Sequence, residues 1–243
     1  MAHGTFDPLY AVAAFYDLDL EGYDRDIVLY RELVDSRSAD GNAEILELGC
    51  GTGRVATALA EVGFDVLGVD LSPAMLGVAR RRKSQRSISF IEGDMRDIDL
   101  ERQFSDVLIP LGGLQHMETA ADVAAALVTV ARHLTSRGLA VIDVEAAHPE
   151  DLEAGPQPIV EHWTRSWCGG SVTKLVTVEG EPSRGLRHVT WHYDIQPADG
   201  ELHRVTAQFP LRVITAGELE LAARLAGLSV IDWYGDYNLS PLS

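Results

Sequence analysis

The sequence predicts an α/β fold: a doubly wound, mostly parallel sheet with an antiparallel β insert after its fifth strand. Three observations predict it. Short apolar runs alternate with helical patterns up to about residue 150, a break rich in Pro, Glu and Gly follows at 146–158, and the hydrophobic period then switches to two. Strand, helix and strand at this spacing require right-handed crossovers, with helices on both faces of the sheet.

Taken in order, residues 9–35 are amphipathic and read as helical, with Tyr10, Tyr16, Tyr23 and Tyr30 along them. Residues 43–49 (AEILELG) read as a strand and 53–62 as a helix. Residues 64–70 (FDVLGVD) are the second strand. A helix over 73–83 is opened by Ser72 as N-cap, with Pro73 at its first position. Residues 88–92 and 104–110 are strands. A helix over 119–134 runs towards Gly138, and 139–145 (LAVIDVE) form the fifth strand. In the insert, 159–167 and 171–178 flank Gly169-Gly170. Val189, Trp191, Tyr193 and Ile195 share one strand face, Val205 to Val213 alternate likewise, and Asp199-Gly200 makes the turn between them. Residues 216–226 return to helix and 228–234 (LSVIDWY) to strand. Three regions follow: a helical cap at 1–42, the parallel-sheet domain at 43–150 and 215–243, and the insert at 151–214, over an acceptor site or at a dimer face.

A chain of 243 residues, 46% of them hydrophobic, can bury a sizeable core. Its 20 Lys and Arg against 37 Asp and Glu give a net charge of −17. That field repels a phosphate backbone, so the expected partner is a small molecule, not nucleic acid or an anionic membrane. The run Arg80, Arg81, Arg82, Lys83 and Arg86 reads as a solvated helix end. Cys50 and Cys168 are too few for a disulfide framework and read as reduced thiols. With no secretory pattern and no long apolar stretch, the expectation is a cytoplasmic protein.

The chemistry concentrates in Glu47-Leu48-Gly49-Cys50-Gly51-Thr52-Gly53, where a strand ends, glycines alternate and a helix begins. Glycines let the chain turn tightly and let a ligand approach the backbone, and the helix start offers unpaired N–H groups. Two readings compete. Gly51, Gly53 and Ala56 fit a dinucleotide fingerprint, with Asp70 for a ribose, which is the chemistry of an NAD(P)-dependent oxidoreductase. A pyrophosphate would then have to face Glu47. The acids Glu47, Asp70 and Asp94 instead suit an adenosyl cofactor that lacks phosphate and carries positive charge.

Residues 45–54 (ILELGCGTGR), 66–76 (VLGVDLSPAML) and 92–96 (EGDMR) resemble the motif series of class I S-adenosylmethionine-dependent methyltransferases. They are similar to those of the small-molecule type, such as bacterial sugar N-methyltransferases and related natural-product enzymes. The resemblance runs from about Tyr16 to Leu134, with a weaker stretch at 233–241. It implies a Rossmann-like fold and S-adenosyl-L-methionine as cofactor. It implies Glu47, Gly49 and Gly51 near the methionine moiety, in a loop that includes Cys50 and Gly53, and Asp70 on the ribose. Leu71 and Met75 would lie beside the adenine, with Asp94 and the Met95 backbone at its edge. Tyr16, Tyr30 and Arg31 would close the cofactor in from the N-terminal helix, and Leu111 joins the set after the fourth strand. The tyrosines equally fit a helical packing stripe.

Two departures matter. DNA-adenine and glutamine methyltransferases carry an Asn/Asp-Pro-Pro-Tyr-type motif after the fourth strand; here the place reads Ile109-Pro110-Leu111-Gly112-Gly113-Leu114-Gln115-His116, which argues against those substrates. The family sheet also ends in a hairpin, whereas Gly235 to Ser243 is too short and too rich in Pro and Ser for a good last strand. A vestigial strand, a truncated chain and a strand from another chain all stay open, as does a homodimer.

His116 is the candidate general base, because it follows the fourth strand at the mouth of the crevice; a helix-start histidine facing backbone or solvent is the alternative. His162, His188, His192 and His203 lack metal-site spacing and no metal is expected. Trp163, Trp167, Trp191, Tyr193, Trp233 and Tyr237 suit either an acceptor-pocket roof or the insert's own core. The expected activity is in-line methyl transfer from S-adenosylmethionine to a small soluble acceptor, an amine or hydroxyl foremost. The alternatives are the oxidoreductase and a non-catalytic module that binds the cofactor.

Overall fold

The computed structural model describes residue 7 and residues 9–35, 43–84, 86 and 88–242. Parts of the expected cap, at 1–6, 8 and 36–42, lie outside these residues. Five parallel strands form the first sheet, in the order β3-β2-β1-β4-β5. They are β1 (Glu44–Leu48), β2 (Asp65–Asp70), β3 (Ser89–Glu92), β4 (Phe104–Ile109) and β5 (Leu134–Ile142). The central strands are apolar on both sides, as a sheet covered by helices requires. Leu46, Leu48, Val107 and Ile109 face one core, shared with α5 (Ala120–His133) and α6 (Ala216–Leu225). Ile45 and Leu108 face the other, against α2 (Arg25–Asp35) and α3 (Arg54–Glu61). The doubly wound architecture is therefore written in alternate residues of the same strands.

Helix starts follow the local chemistry. Ser72 caps α4 (Pro73–Ala79), its side chain accepting the Met75 N–H at 3.1 Å. Thr119 and Asp122 form a reciprocal capping box on α5. Three expected helical elements differ. α4 stops at Ala79 instead of 83, because the Arg81 and Arg82 N–H groups bond Val78 and Ala79 and close the helix in tight turns. α5 stops at His133 and β5 begins at once: the buried His133 ring bonds the Thr129 carbonyl and accepts the Leu100 N–H, and Leu134 is already extended. The cap at 9–35 splits into turns, a single helical turn α1 (Tyr16–Asp19) and α2, parted around Gly22.

Residues 228–234, expected as a strand, are not one; a single bridge joins Tyr234 to Pro241. Asp236 draws the chain into a loop by accepting the Asn238 and Ser240 N–H groups, and Val230 and Ile231 are exposed. The parallel sheet consequently ends at β5 among the described residues.

The second sheet is antiparallel: β7 (Val160–Trp167), β8 (Gly170–Glu181), β9 (Leu186–Gln196) and β10 (His203–Arg212), with the short β6 (Gly155–Pro156) also paired to β8. Pro210 is tolerated because β10 is an edge strand. Its apolar face packs on the N-terminal segment: Val12 and Phe15 join Val172, Tyr193, Ile195 and Phe209 in a third core. The insert aromatics Trp163, Trp167 and Tyr193 thus serve that core. No helix among the described residues is long and apolar enough to cross a membrane.

Candidate active site

The loop between β1 and α3 is built on left-handed backbone, with φ of +73° at Gly49, +53° at Gly51 and +73° at Gly53. A Cβ on Gly53 would sit 2.7 Å from the Phe90 ring, so glycine there is demanded twice, by φ and by space. A Cβ on Gly51 would meet nothing within 4 Å, which marks the open side of the loop.

Asp70, at the end of β2, holds this loop. Its Oδ2 accepts the Gly51 N–H at 2.7 Å and its Oδ1 accepts the Ser72 N–H at 2.8 Å. Burial raises its pKa against those two bonds, and Asp7, which accepts a hydrogen bond from Ser72 Oγ, adds negative charge beside it. Glu47 is buried, and its Oε2 has no hydrogen-bond partner. Desolvation pushes its pKa up to about 8, although Arg54 and an Ala56 N–H favour the charged form. Asp94 follows β3, next to Asp70, whose carbonyl accepts the Gly93 N–H. Arg96 grips both Asp94 oxygens and holds its pKa below the usual carboxylate range. Leu71 is 53% exposed beside the loop, whereas Met75 is buried. The Cys50 thiol is buried and its pKa is raised by desolvation, so it is a packing group.

A cleft of about 1470 Å³ opens next to this loop. Tyr16, Tyr30, Leu111, His116, Trp191 and Phe209 lie on its wall; Glu47, Asp70 and Asp94 do not. Tyr16 links the two places: it faces the cleft, and its hydroxyl, whose pKa is raised to about 12 by burial, feels Asp19 and Asp70. The His116 ring meets Phe209 with centroids 5.3 Å apart. Water reaches the ring through the cleft, but the surrounding protein desolvates its cation and lowers its pKa to about 4. The ring is neutral at pH 7, with a free lone pair available on one nitrogen.

Arg31 is not brought into the site; it is exposed and off the cleft wall. Tyr30 is buried and donates to Asp143, so it serves both packing and the wall. The basic run is more than a solvated helix end. Arg82 donates to the Thr52 carbonyl and to Asp17, and Thr52 Oγ donates to the same Asp17, so the run clamps α1 to the glycine loop. The insert histidines do not gather: His188 pairs with Glu181, His192 with Thr206, and no metal-binding cluster exists among the described residues.

Sequence patterns missed four supporting residues. Asp26, wholly buried, forms an ion pair with Arg54. Asp143, just after β5, takes the Tyr30 and Tyr237 hydroxyls and the Leu111 N–H on one oxygen. Gln115, buried, donates to the Arg212 carbonyl and accepts the Glu145 N–H, fixing the turn that carries His116. Asp19 takes Lys174, Trp163 and Tyr193 together. Asp143 alone left a trace, an acid ending an apolar strand as Glu47 and Asp70 do; the other partners are far apart in the chain.

Residues 45–138 match the family model described as a methyltransferase domain. The chain is 31% identical over 226 residues to the dTDP-3-amino-3,6-dideoxy-alpha-D-glucopyranose N,N-dimethyltransferase of Streptomyces fradiae, covering 90% of this chain and 84% of that protein. It is 28% identical over 207 residues to the cypemycin N-terminal methyltransferase of a Streptomyces species, covering 84% and 80%. The structure resembles that of the sugar N-methyltransferase KedS8 from Streptoalloteichus, with a TM-score of 0.71 and 28% identity over 87% of this chain and 83% of that one.

Proposed function

This chain belongs to the class I S-adenosylmethionine-dependent methyltransferases and transfers a methyl group to a small molecule, and from that premise we propose that the accepting atom is an amine nitrogen. Two of the three similar proteins are named as N-methyltransferases, and the third is named for the N-terminus of its peptide. In this chain the reading is carried by His116, a neutral imidazole on the wall of an aromatic cleft that adjoins the glycine loop.

The residues fit the cofactor. Glu47 offers a buried carboxylate oxygen without a partner, which a cationic ammonium would satisfy. Asp70 is held by one backbone N–H on each oxygen and keeps a lone pair on each for the ribose hydroxyls. Leu71, exposed beside the loop, would flank the adenine, with the buried Met75 packed behind it, and Asp94 and the Met95 backbone would meet its edge. When bound, S-adenosylmethionine supplies a methyl group on positively charged sulfur, open to in-line displacement.

The protein then has three tasks. Tyr16 and Trp191 exclude water and orient the amine; alignment of this kind is worth about 7–11 kcal/mol. The Tyr16 hydroxyl, with its raised pKa, stays a donor throughout the neutral range. His116 faces the cleft as a neutral imidazole that would accept, weakly at a pKa of about 4, the proton released as the amine nitrogen takes the methyl group. Turnover of primary-amine and hydroxyl analogues of one small scaffold, with products identified by mass spectrometry, tests the proposal. Methylation of the amine alone is expected; methylation of the hydroxyl in preference would overturn it. Calorimetry with S-adenosylmethionine, its demethylated product and NAD(P) tests the cofactor fit directly.

A further inference from the structure

We propose that the acceptor is an amine free of phosphate, neutral or cationic, and not an amine carried on a nucleoside diphosphate. The inference rests on the methyl-transfer reading above and narrows its substrate class.

The cleft wall carries four carboxylates, Asp143, Glu145, Asp232 and Asp236, and among the described residues no lysine or arginine. Two arginines next to the wall are already committed. Arg187 donates to Glu145 at 2.6 Å and to Asp151 at 2.7 Å, two carboxylates for one guanidinium. Arg212 donates to Glu218 at 2.7 Å and to the Glu118 and Arg184 carbonyls. One helix of eight residues or more starts on this wall, α6, at Thr215 and Ala216. Its start is also taken: Thr215 Oγ accepts the Glu218 N–H, and the Glu218 carboxylate occupies the first turn.

A diphosphate is recognised by guanidinium or ammonium groups, or by free N–H groups at a helix start. This wall provides none of these and sets acids in their place. Glu145, Asp232 and Asp236 are exposed, so their field over the cleft is sensitive to salt, and the net charge of −17 reinforces it. A dianionic handle is repelled from such a site, whereas an ammonium is drawn in. The aromatic part of the wall, Tyr16, Trp191 and Phe209, suits the apolar face of a sugar; Trp191 already carries Lys174, itself paired with Asp19, 3.8 Å from its ring centroid.

The test uses the whole protein with saturating S-adenosylmethionine and follows release of S-adenosylhomocysteine. Two acceptors are compared: an aminodeoxyhexose as its methyl glycoside, and the same amino sugar linked to thymidine diphosphate. Thymidine diphosphate alone is added as a competitor. We expect kcat/KM for the glycoside to exceed that for the nucleotide-linked sugar at least tenfold, with no competition by thymidine diphosphate at millimolar concentration. Raising ionic strength, which shortens the screening length from about 30 Å at 0.01 M to about 3 Å at 1 M, should narrow the ratio. Equal or better turnover of the nucleotide-linked sugar overturns the proposal, as does micromolar competition by thymidine diphosphate or a ratio that salt does not move. Failure of both sugars to react also overturns it. Cofactor binding, titrated separately, then decides whether the methyl-transfer reading stands.

Discussion

The cofactor crevice and the acceptor cleft touch at Tyr16 but are built by opposite rules. The crevice comes from one continuous stretch, and its key carboxylate, Asp70, is fixed by two short backbone bonds within 20 residues. The cleft is assembled from α1, α2, the turn at 113–116, β5 and the loop after it, strands β9 and β10, α6 and residues 228–237. Its supports span the chain, as Tyr30 to Asp143 and Trp163 to Asp19 do. A ligand common to a whole family can be gripped by a local motif. A ligand that differs between relatives needs a wall whose pieces vary independently.

Severing the crevice from the helix that backs it should have the largest effect. Asp26→Ala leaves the Arg54 guanidinium buried without its carboxylate, and loss of one partner of such a pair costs about 3–5 kcal/mol. Chemical denaturation should show the loss; a change below about 1 kcal/mol would mean that water replaces the carboxylate. Next in size, Asp70→Asn keeps one acceptor and removes the charge. Hydrogen bonds to charged groups are worth about 1.5–3 kcal/mol, so cofactor affinity should fall roughly 10- to 100-fold. The KM for the amine, measured at saturating cofactor, should stay within twofold. A matching rise in that KM would show that the two regions are one site.

The same contrast explains what could be read in advance. The crevice was legible because each of its requirements is local: φ above zero at Gly49, Gly51 and Gly53, a cap at Ser72, and an acid where an apolar strand ends. The sheet was legible because both of its faces are apolar. Residues 228–234 carry a strand-like pattern but find no ladder, since the Asp236 turn follows them; pattern states what a segment could pair with and not whether a partner arrives. Asp19, Gln115 and Asp26 act through partners far away in the chain, and no spacing announces such pairs. The basic run looked like a helix end because Arg82's partners, Thr52 and Asp17, lie 30 and 65 residues away.

On the cleft side, His116→Ala should lower kcat at least tenfold and leave cofactor affinity unchanged. A well-placed base contributes about 10²–10⁴-fold, and a ring with a pKa of about 4 accepts a proton weakly, which favours the lower end. The ring is neutral above about pH 5, so it imposes no inflection between pH 6 and 7. An inflection there that vanishes in the variant would show that the ring charges in the working enzyme. Unchanged kcat would remove the base role and leave alignment by the aromatic wall as the cleft's contribution.

The smallest expected effect is also the most diagnostic of the crevice. Glu47 has a pKa raised to about 8, so below that pH most of it is neutral. A cationic ammonium beside its unpartnered oxygen favours the ionised form, and binding must then expel a proton. Cofactor affinity should therefore rise with pH from about 6 to about 8, by less than tenfold per unit. Calorimetry at pH 7 in buffers of different ionisation heat should register the proton released. The ligand's own α-amino group titrates near 7.7–8.0 and weakens binding above that range, so the rise on the acid side is the part that belongs to Glu47. In Glu47→Gln the rise should disappear while the decline above pH 8 persists. If the wild-type protein binds the cofactor equally well at pH 6 and pH 8, Glu47 does not meet the ammonium. The crevice would then hold its ligand by Asp70 and the glycine loop alone.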